Sequence, residues 1–210
     1  MRLFQARSVA VVGASTNPSK LGHEILANIL HGGYEGDIYP VNPKADQILG
    51  LRAYPSLGEV PAGLDLAVVV VPAAFVPDVL RAVAAKGAGA AIIISGGFRE
   101  AGREDLEQEL RAVVAETGLR LVGPNCQGIN YRPNKLCASW PLVAAQGSMA
   151  VISQSGTVAA TLAGWALDEG RGISATVSLG NQVDVCETDL IEFFAAKSFT
   201  LQVNLYLEGA

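Results

Sequence analysis

A short apolar run, a turn of small residues and a helix follow one another near the start of this chain and constrain its fold most strongly. Residues 9–12 read Val-Ala-Val-Val, which is typical of a buried strand, and Gly13 ends the run. Apolar positions from Leu21 onwards repeat at helical spacing and predict a helix over residues 19–31. Free backbone N–H groups and the positive end of the helix dipole at such a junction favour phosphate. A tight connection that any parallel α/β domain needs is the alternative, and the spacing alone leaves both open.

The same turn departs from the dinucleotide-binding fingerprint. After Gly13, the pattern G-x-G-x-x-G requires glycine at the positions of Ser15 and Pro18. The acidic residue that would hold a ribose after the second strand is also missing, because residues 42–44 read Asn-Pro-Lys. An NAD-dependent oxidoreductase is therefore the weaker alternative. Lys44 suits a phosphate better than a diol, although a surface lysine without a ligand fits equally well.

Composition narrows the class of protein. With 210 residues, the chain is long enough for one large domain or for one domain and part of another. Half of its residues are hydrophobic, which is typical of an α/β protein whose strands are covered on both faces. The apolar runs are too short to cross a bilayer, and no apolar run precedes the first strand, so neither a membrane span nor a secretory signal is predicted. Three cysteines without C-x-x-C spacing favour a reducing cytoplasm and no metal site. A net charge of −5 without a basic tract argues against nucleic acid as a partner.

Strands and helices alternate along residues 1–130. Five predicted strands separated by helices indicate an α/β fold with a doubly wound parallel sheet. Ligands of such sheets bind beyond the carboxyl ends of the strands, near the topological switch point. The strand ends are therefore expected to border one crevice. After the first β–α pair, strands are predicted at residues 37–43, 65–72, 90–95 and 119–126, and helices at 77–85 and 102–117.

This alternation breaks after residue 130 and resumes at residue 148. Polar and turn residues around Trp140-Pro141 predict a linker over residues 131–147, between domains at 1–130 and 148–210. The last predicted strand has no helix to cover it, so the second unit is expected to be incomplete or completed by another chain. Its strands are predicted at residues 148–153, 173–179 and 201–207, and its helices at 158–167 and 189–196.

Short motifs at the predicted strand ends carry a resemblance to a known family. They are Val12-Gly13-Ala14-Ser15 with residues 18–22, then residues 39–43, Ser95-Gly96-Gly97-Phe98, residues 123–128, Ser153-Gln154-Ser155-Gly156 and residues 178–181. Taken together, in this order and over nearly the whole chain, they resemble the α-subunit portion of NDP-forming acyl-CoA synthetases. That group includes ADP-forming acetyl-CoA synthetase and is related to succinyl-CoA synthetase. The resemblance implies a CoA-binding Rossmann-like domain followed by part of a flavodoxin-like ligase domain.

The resemblance also implies where CoA binds. In the family, the first β–α turn and the residues after the second and fourth strands hold the nucleotide end, and a later strand end lies toward the thiol and the acyl site. For Cys126, an ordinary small buried residue is the favoured alternative. The matching residues are Gly13, Ser15, Thr16, Asn17, Lys20, Lys44, Pro72, Ser95, Gly96 and Gly97 at the nucleotide end, and Pro124, Asn125 and Cys126 at the thiol end.

The family reaction converts acyl-CoA, phosphate and NDP into acid, CoA and NTP through an acyl phosphate and a phosphorylated histidine. Ser155, Gly156 and Thr157 match the helix N-terminus that receives the phosphoryl group. Glu208 matches a glutamate that orients the histidine, although an exposed carboxylate without a role fits equally well.

The histidine itself has no match in this sequence. The two histidines, His23 and His31, both fall on the first predicted helix, where they are expected to face solvent or cap the helix end. The chain is therefore expected to bind CoA without completing the cycle by itself.

Partners follow from the same resemblance. CoA and acyl-CoA are the expected ligands, and ATP or ADP with Mg²⁺ would enter only through an ATP-grasp β-type subunit or domain that is missing here. An oligomer is expected. A non-catalytic regulatory module that senses CoA is the alternative from a different functional class.

Overall fold

The structure of the protein is a computed structural model that describes residues 1–140 and 146–209. Five strands of its first half form a wholly parallel sheet in the order β2-β1-β5-β6-β7, and β3 and β4 form a separate hairpin. These elements confirm the predicted α/β fold. They are β1 (Ser8–Val12), α1 (Leu21–His31), β2 (Asp37–Val41), β3 (Gln47–Ile48), β4 (Leu51–Arg52), β5 (Leu66–Val69), α2 (Val76–Ala85), β6 (Ala90–Ile93), α3 (Glu104–Thr117) and β7 (Arg120–Val122).

Helices cover both faces of this sheet. Ile25 and Ile29 of α1 pack on one face, while Leu80 of α2 and Leu110 of α3 pack on the other. Every residue of β1, β5 and β6 is consequently buried, which explains their continuous apolar sequences. Full burial of each such aliphatic side chain stabilises the fold by about 1.5–3 kcal/mol. The strand order reverses between β1 and β5, so the switch point lies beside Gly13.

The second half forms a mixed sheet in the order β12-β10-β11-β8-β9. Strands β12, β10 and β11 are parallel to one another, while β8 runs antiparallel to both β11 and β9. Leu201 and Leu205 are exposed at the β12 edge. The elements are β8 (Gly128–Tyr131), β9 (Leu136–Ser139), β10 (Gln146–Ser153), α4 (Gly156–Asp168), β11 (Ile173–Ser178), α5 (Glu187–Ala195) and β12 (Gln202–Tyr206).

The predicted linker at residues 131–147 differs from this arrangement. Residues 136–139 are buried as β9, and β8, which precedes the predicted boundary, already pairs with the second sheet. The structure differs from the sequence pattern there because a four-residue strand closed by a short turn leaves little periodicity to detect. Pro141, in the predicted turn around Trp140-Pro141, lies outside the described residues.

Helix α1 joins the two sheets into one core. The buried Asn28 side chain donates from Nδ2 to the carbonyl oxygen of Ser139 in β9, at 2.9 Å. On another side, Arg120 of β7 donates to Asp184 at 2.9 Å and to Asp189 at 3.1 Å. These contacts fix the two sheets relative to each other, so that their loops can form one site.

Within the two described stretches, no helix has the length and apolar character that crossing a bilayer requires.

Candidate functional site

The turn between β1 and α1 borders an open cavity of about 450 Å³, here called the turn cavity. Gly13 has φ +93°, and a Cβ atom there would overlap the carbonyl oxygen of Val70. A Cβ atom on Gly22 would overlap the carbonyl oxygen of Gly13. Only glycine allows the turn, the end of β5 and the start of α1 to converge this closely. The lining residues are Gly13, Ala14, Ser15, Ser19, Lys20, Leu21, Gly22, Asn42 and Val70.

Unpaired amides make this cavity suitable for an anion. The N–H groups of Ser15, Leu21 and Gly22 donate to no acceptor in the described part of the chain. Together with the dipole of α1 and the ammonium group of Lys20, they favour a phosphate. Sequence patterning predicted this feature, and the geometry is consistent with it.

Two side chains hold the turn in place. Asn42 donates from Nδ2 to the carbonyl oxygen of Ala14 at 2.7 Å. His23 Nδ1 lies 2.8 Å from the carbonyl oxygen of Ser15. His31 is exposed at the end of α1, as expected, but His23 is half-buried and braces the turn instead of facing solvent. No motif in the sequence distinguishes a histidine on α1 that turns back onto residue 15 from one that faces solvent, so this contact was not predicted.

The beginning of α4 forms a second group of free amides. Ser155 is the N-cap residue, and its Oγ accepts from the N–H of Val158 at 3.4 Å. The N–H groups of Gly156 and Thr157 donate to no acceptor among residues 1–140 and 146–209. Glu208 lies beside them because its N–H donates to Gln154 Oε1 at 2.7 Å.

A cavity of about 500 Å³ in front of α4, here called the central cavity, brings the two halves of the chain together. Gly96, Asn125 and Cys126 line it from the first sheet, and Ser155, Gly156, Thr157 and Glu208 line it from the second. Leu21 lines both this cavity and the turn cavity, which makes them neighbours. The remaining lining residues are Ile94, Gln127, Trp140 and Gln154.

Seven predicted binding residues do not line either cavity. Thr16, Lys44 and Pro72 are exposed. The side-chain oxygens of Asn17 and Ser95 are used in contacts within the protein. Asn17 Oδ1 accepts from the Ser19 N–H at 2.9 Å, and Ser95 Oγ donates to the carbonyl oxygen of Val71 at 2.5 Å.

Gly97 and Pro124, the other two, take part in a contact between the halves of the chain. The Gly97 N–H donates to Glu100 Oε1 at 2.6 Å, and the Pro124 carbonyl accepts from the Asn181 N–H at 2.8 Å. Glu100 Oε2 also accepts from Asn181 Nδ2. Burial raises the pKa of the Glu100 carboxyl, but the hydrogen bonds from Asn181, Gly97 and Phe98 outweigh burial and hold it below its usual value.

Cys126 is a buried thiol whose Sγ donates to the carbonyl oxygen of Ile93 at 3.3 Å. Burial raises the pKa of Cys126 to about 12. We therefore expect iodoacetamide at pH 8 to leave Cys126 unmodified in the folded protein while it alkylates the partly exposed Cys186. Peptide mass spectrometry before and after unfolding in guanidinium measures this; equal labelling of both cysteines in the folded protein would contradict it.

Sequence reasoning did not select several residues that line the cavities. The sequence predicts Asn42 only as part of a strand end, and Ser19, Leu21, Gln127, Trp140 and Gln154 are not among its predicted site residues. The motif around residues 123–128 pointed to Gln127. Nothing in the sequence pointed to Trp140, because it follows the strand that was interpreted as a linker.

Comparison with known families identifies both halves. Residues 7–132 match the model of the CoA binding domain. The chain belongs to the CoA-binding domain family. Residues 146–210 match the succinyl-CoA ligase like flavodoxin domain, which confirms the predicted flavodoxin-like second unit. This order of domains confirms the resemblance to the α-portion of NDP-forming acyl-CoA synthetases.

Relatives of this chain include the α subunit of acetate–CoA ligase (ADP-forming) I of Pyrococcus furiosus. It is 44% identical over 99% of the chain and 46% of the relative. Acetate–CoA ligase (ADP-forming) of Methanocaldococcus jannaschii is 40% identical over 97% of the chain and 29% of its own length. The chain thus spans less than half the length of these relatives.

A solved structure shows the same arrangement. The dinucleotide-forming acetyl-coenzyme A synthetase 1 of Ca. Korarchaeum cryptofilum, in complex with phosphate and ADP, has a TM-score of 0.96 and 42% identity. The match covers 100% of this chain and 45% of that one.

Proposed function

We propose that this chain is the CoA-binding α-type portion of an NDP-forming acyl-CoA synthetase. Such an enzyme interconverts acyl-CoA, phosphate and NDP with acid, CoA and NTP. The observation that carries the proposal is that the turn cavity adjoins a second set of free amides at the start of α4, across the central cavity. One ligand can therefore lie with a diphosphate at the first helix and its reactive end near the second.

The residues present fit CoA. The amides of Ser15, Leu21 and Gly22, with Lys20, would hold the diphosphate, and Lys44 would hold the 3′-phosphate. The hydrogen bond from Asn42 Nδ2 to the carbonyl oxygen of Ala14 would hold the turn in the conformation that exposes these amides. Bound CoA would supply the thiol or thioester toward Cys126, whose own thiol stays protonated.

The start of α4 would hold the anion that is exchanged between reactants. The amides of Gly156 and Thr157 stabilise negative charge without forming a covalent bond to it. Glu208 lies next to them and would orient an incoming histidine. Neither histidine of this sequence fits that role, because His23 braces the first turn and His31 lies at the end of α1.

Partners complete the proposed reaction. We infer that an ATP-grasp β-type subunit or domain supplies the nucleotide and Mg²⁺, and that the working enzyme is an oligomer. The relatives support this, since the α subunit from Pyrococcus furiosus is named as one part of an enzyme. A reducing, cytoplasmic compartment stays a prediction.

Calorimetric titration tests the proposal directly. We expect CoA to bind this chain saturably, and NAD not to bind, because residue 42 at the end of β2 is asparagine instead of the acid that a ribose requires. Saturable binding of NAD without a response to CoA would overturn the proposal in favour of an oxidoreductase.

Within the same titrations, Lys44→Ala is expected to weaken CoA about fivefold and to leave dephospho-CoA unchanged, which is the effect of one exposed charge pair. Lys135→Ala is the matched control, because Lys135 pairs with Glu35 near the end of α1, away from the turn cavity. Equal losses of affinity for both ligands would mean that Lys44 contacts a part of CoA other than the 3′-phosphate. Unchanged affinity for both would mean that Lys44 does not contact CoA.

A further inference from the structure

A small cavity lies between α4 and the second sheet, beside the central cavity. Its volume is about 20 Å³, which is room for one water-sized group. Gln127 and Trp140 line both cavities, so the small one adjoins the place where the reactive end of CoA is proposed to lie. We call it the side cavity.

An unpaired polar atom makes this cavity more than a packing defect. Asn130 is only 3% exposed, and its Nδ2 donates to Ser139 Oγ at 2.6 Å and to Thr176 Oγ1 at 3.0 Å. Its Oδ1 has no hydrogen-bond partner among the residues that the structure describes. Buried amide oxygens are almost always hydrogen-bonded, so this atom indicates a small ligand that donates a hydrogen bond.

Small residues on α4 maintain the space. Ala159, Ala160 and Ala163 face the cavity across from Asn130 and Thr176, and any larger side chain at these positions would enter it. The cavity therefore combines alanines along one wall with an amide and hydroxyls on the other. The hydroxyl at the end of a short aliphatic group matches the cavity in size and in its hydrogen-bonding wall.

We propose that the side cavity is the distal end of the acyl subsite, which takes only the terminal hydroxyl while the carbon chain lies in the central cavity, and that it selects short acyl groups that carry a hydroxyl. The proposal rests on the proposed function, because a CoA thioester in the central cavity is what brings an acyl group beside Gln127 and Trp140. Without ligand, a water molecule satisfies Asn130, and the hydroxyl of the acyl group replaces it.

The test compares thioesters that differ by one hydroxyl, using the 210-residue chain. CoA, propionyl-CoA, 3-hydroxypropionyl-CoA, butyryl-CoA and 4-hydroxybutyryl-CoA are titrated by calorimetry. Fluorescence provides a second readout in a Trp165→Phe background, because the sequence contains two tryptophans and the other, Trp140, lines the side cavity. At least one hydroxyacyl-CoA is expected to bind about tenfold more tightly than its unsubstituted partner, the effect of one buried hydrogen bond.

Two variants examine the cavity itself. Ala160→Val fills it and is expected to abolish the hydroxyl preference while CoA affinity stays within about twofold. Thr161→Val is the control, since Thr161 is the next residue of α4 and is exposed. Asn130→Leu should act like Ala160→Val; if it fails to fold, Ala160→Val decides alone.

The outcomes separate the two proposals. Equal binding of hydroxyacyl and plain acyl thioesters, or an unchanged preference in Ala160→Val, overturns the acyl subsite and leaves the cavity to a water molecule. Failure of every CoA compound to bind overturns the proposed function as well.

Discussion

Replacing Gly22 with alanine is expected to lower the free energy of unfolding by about 3 kcal/mol or more, at the upper end of the range for overpacked sites. The new Cβ atom would overlap the carbonyl oxygen of Gly13 and lie 2.9 Å from its carbonyl carbon. Both atoms belong to the backbone, so relief requires α1 to move away from β1. Because α1 packs against both sheets, that movement is expected to disrupt the turn cavity and abolish CoA binding.

Gly164→Ala is the matched control for this prediction. Gly164 also lies within a helix, α4, but a Cβ atom there meets nothing within 4 Å. Alanine at this position is expected to stabilise the protein by up to about 1 kcal/mol, as helix propensity dictates. Urea denaturation and CoA titration of both variants measure the difference, and similar stabilities would show that the close approach of α1 and β1 contributes nothing.

Gly180→Ala is expected to produce the second large effect, at the junction between the two sheets. Gly180 has φ +58°, and a Cβ atom would overlap the Pro124 carbonyl oxygen and lie 2.6 Å from that of Asn125. The clash would separate the Asn181 loop from the loop that follows β7. We expect a loss of about 3 kcal/mol in the free energy of unfolding and a changed emission of Trp140 in the central cavity.

Gly170→Ala separates backbone strain from this clash. Gly170 has φ +67°, almost the same conformation, but a Cβ atom there has no neighbour within 4 Å. We expect Gly170→Ala to lower the free energy of unfolding by only about 1–2 kcal/mol, which is what a left-handed backbone costs an L-residue. Both variants are denatured under identical conditions, and the difference between their losses in the free energy of unfolding measures the cost of the clash. Losses of equal size would mean that Gly180 matters only for its backbone conformation.

Strands and helices whose residues form a local sequence pattern were predicted well. Continuous apolar runs predicted β1, β5 and β6, because a strand that is buried on both faces needs an apolar residue at nearly every position. Amphipathic spacing predicted α1 and α3, because a helix that is buried on one face needs apolar residues at helical spacing. The hairpin of β8 and β9 escaped prediction. Its strands have four residues each, and their partner β11 lies more than forty residues further along the chain.

The residues of the candidate site also fall into those that local sequence predicts and those that it does not. Ser155, Gly156 and Thr157 could be selected because a strand, a turn and a helix are consecutive there. Asn130 could not be selected, since nothing local distinguishes a buried asparagine in a short strand from a surface one. Its oxygen lacks a donor among the described residues because α4 and β11 close over it.

The sequence by itself determined the two β–α turns and their free amides. These depend on neighbours a few residues apart. Tertiary structure decided that the two turns face one crevice, that His23 braces Ser15 and that Asn181 contacts Glu100 across the two halves of the chain. Apart from His23 and Ser15, which are eight residues apart, these contacts join residues far apart in the chain. Close packing of two sheets against one helix brings them together.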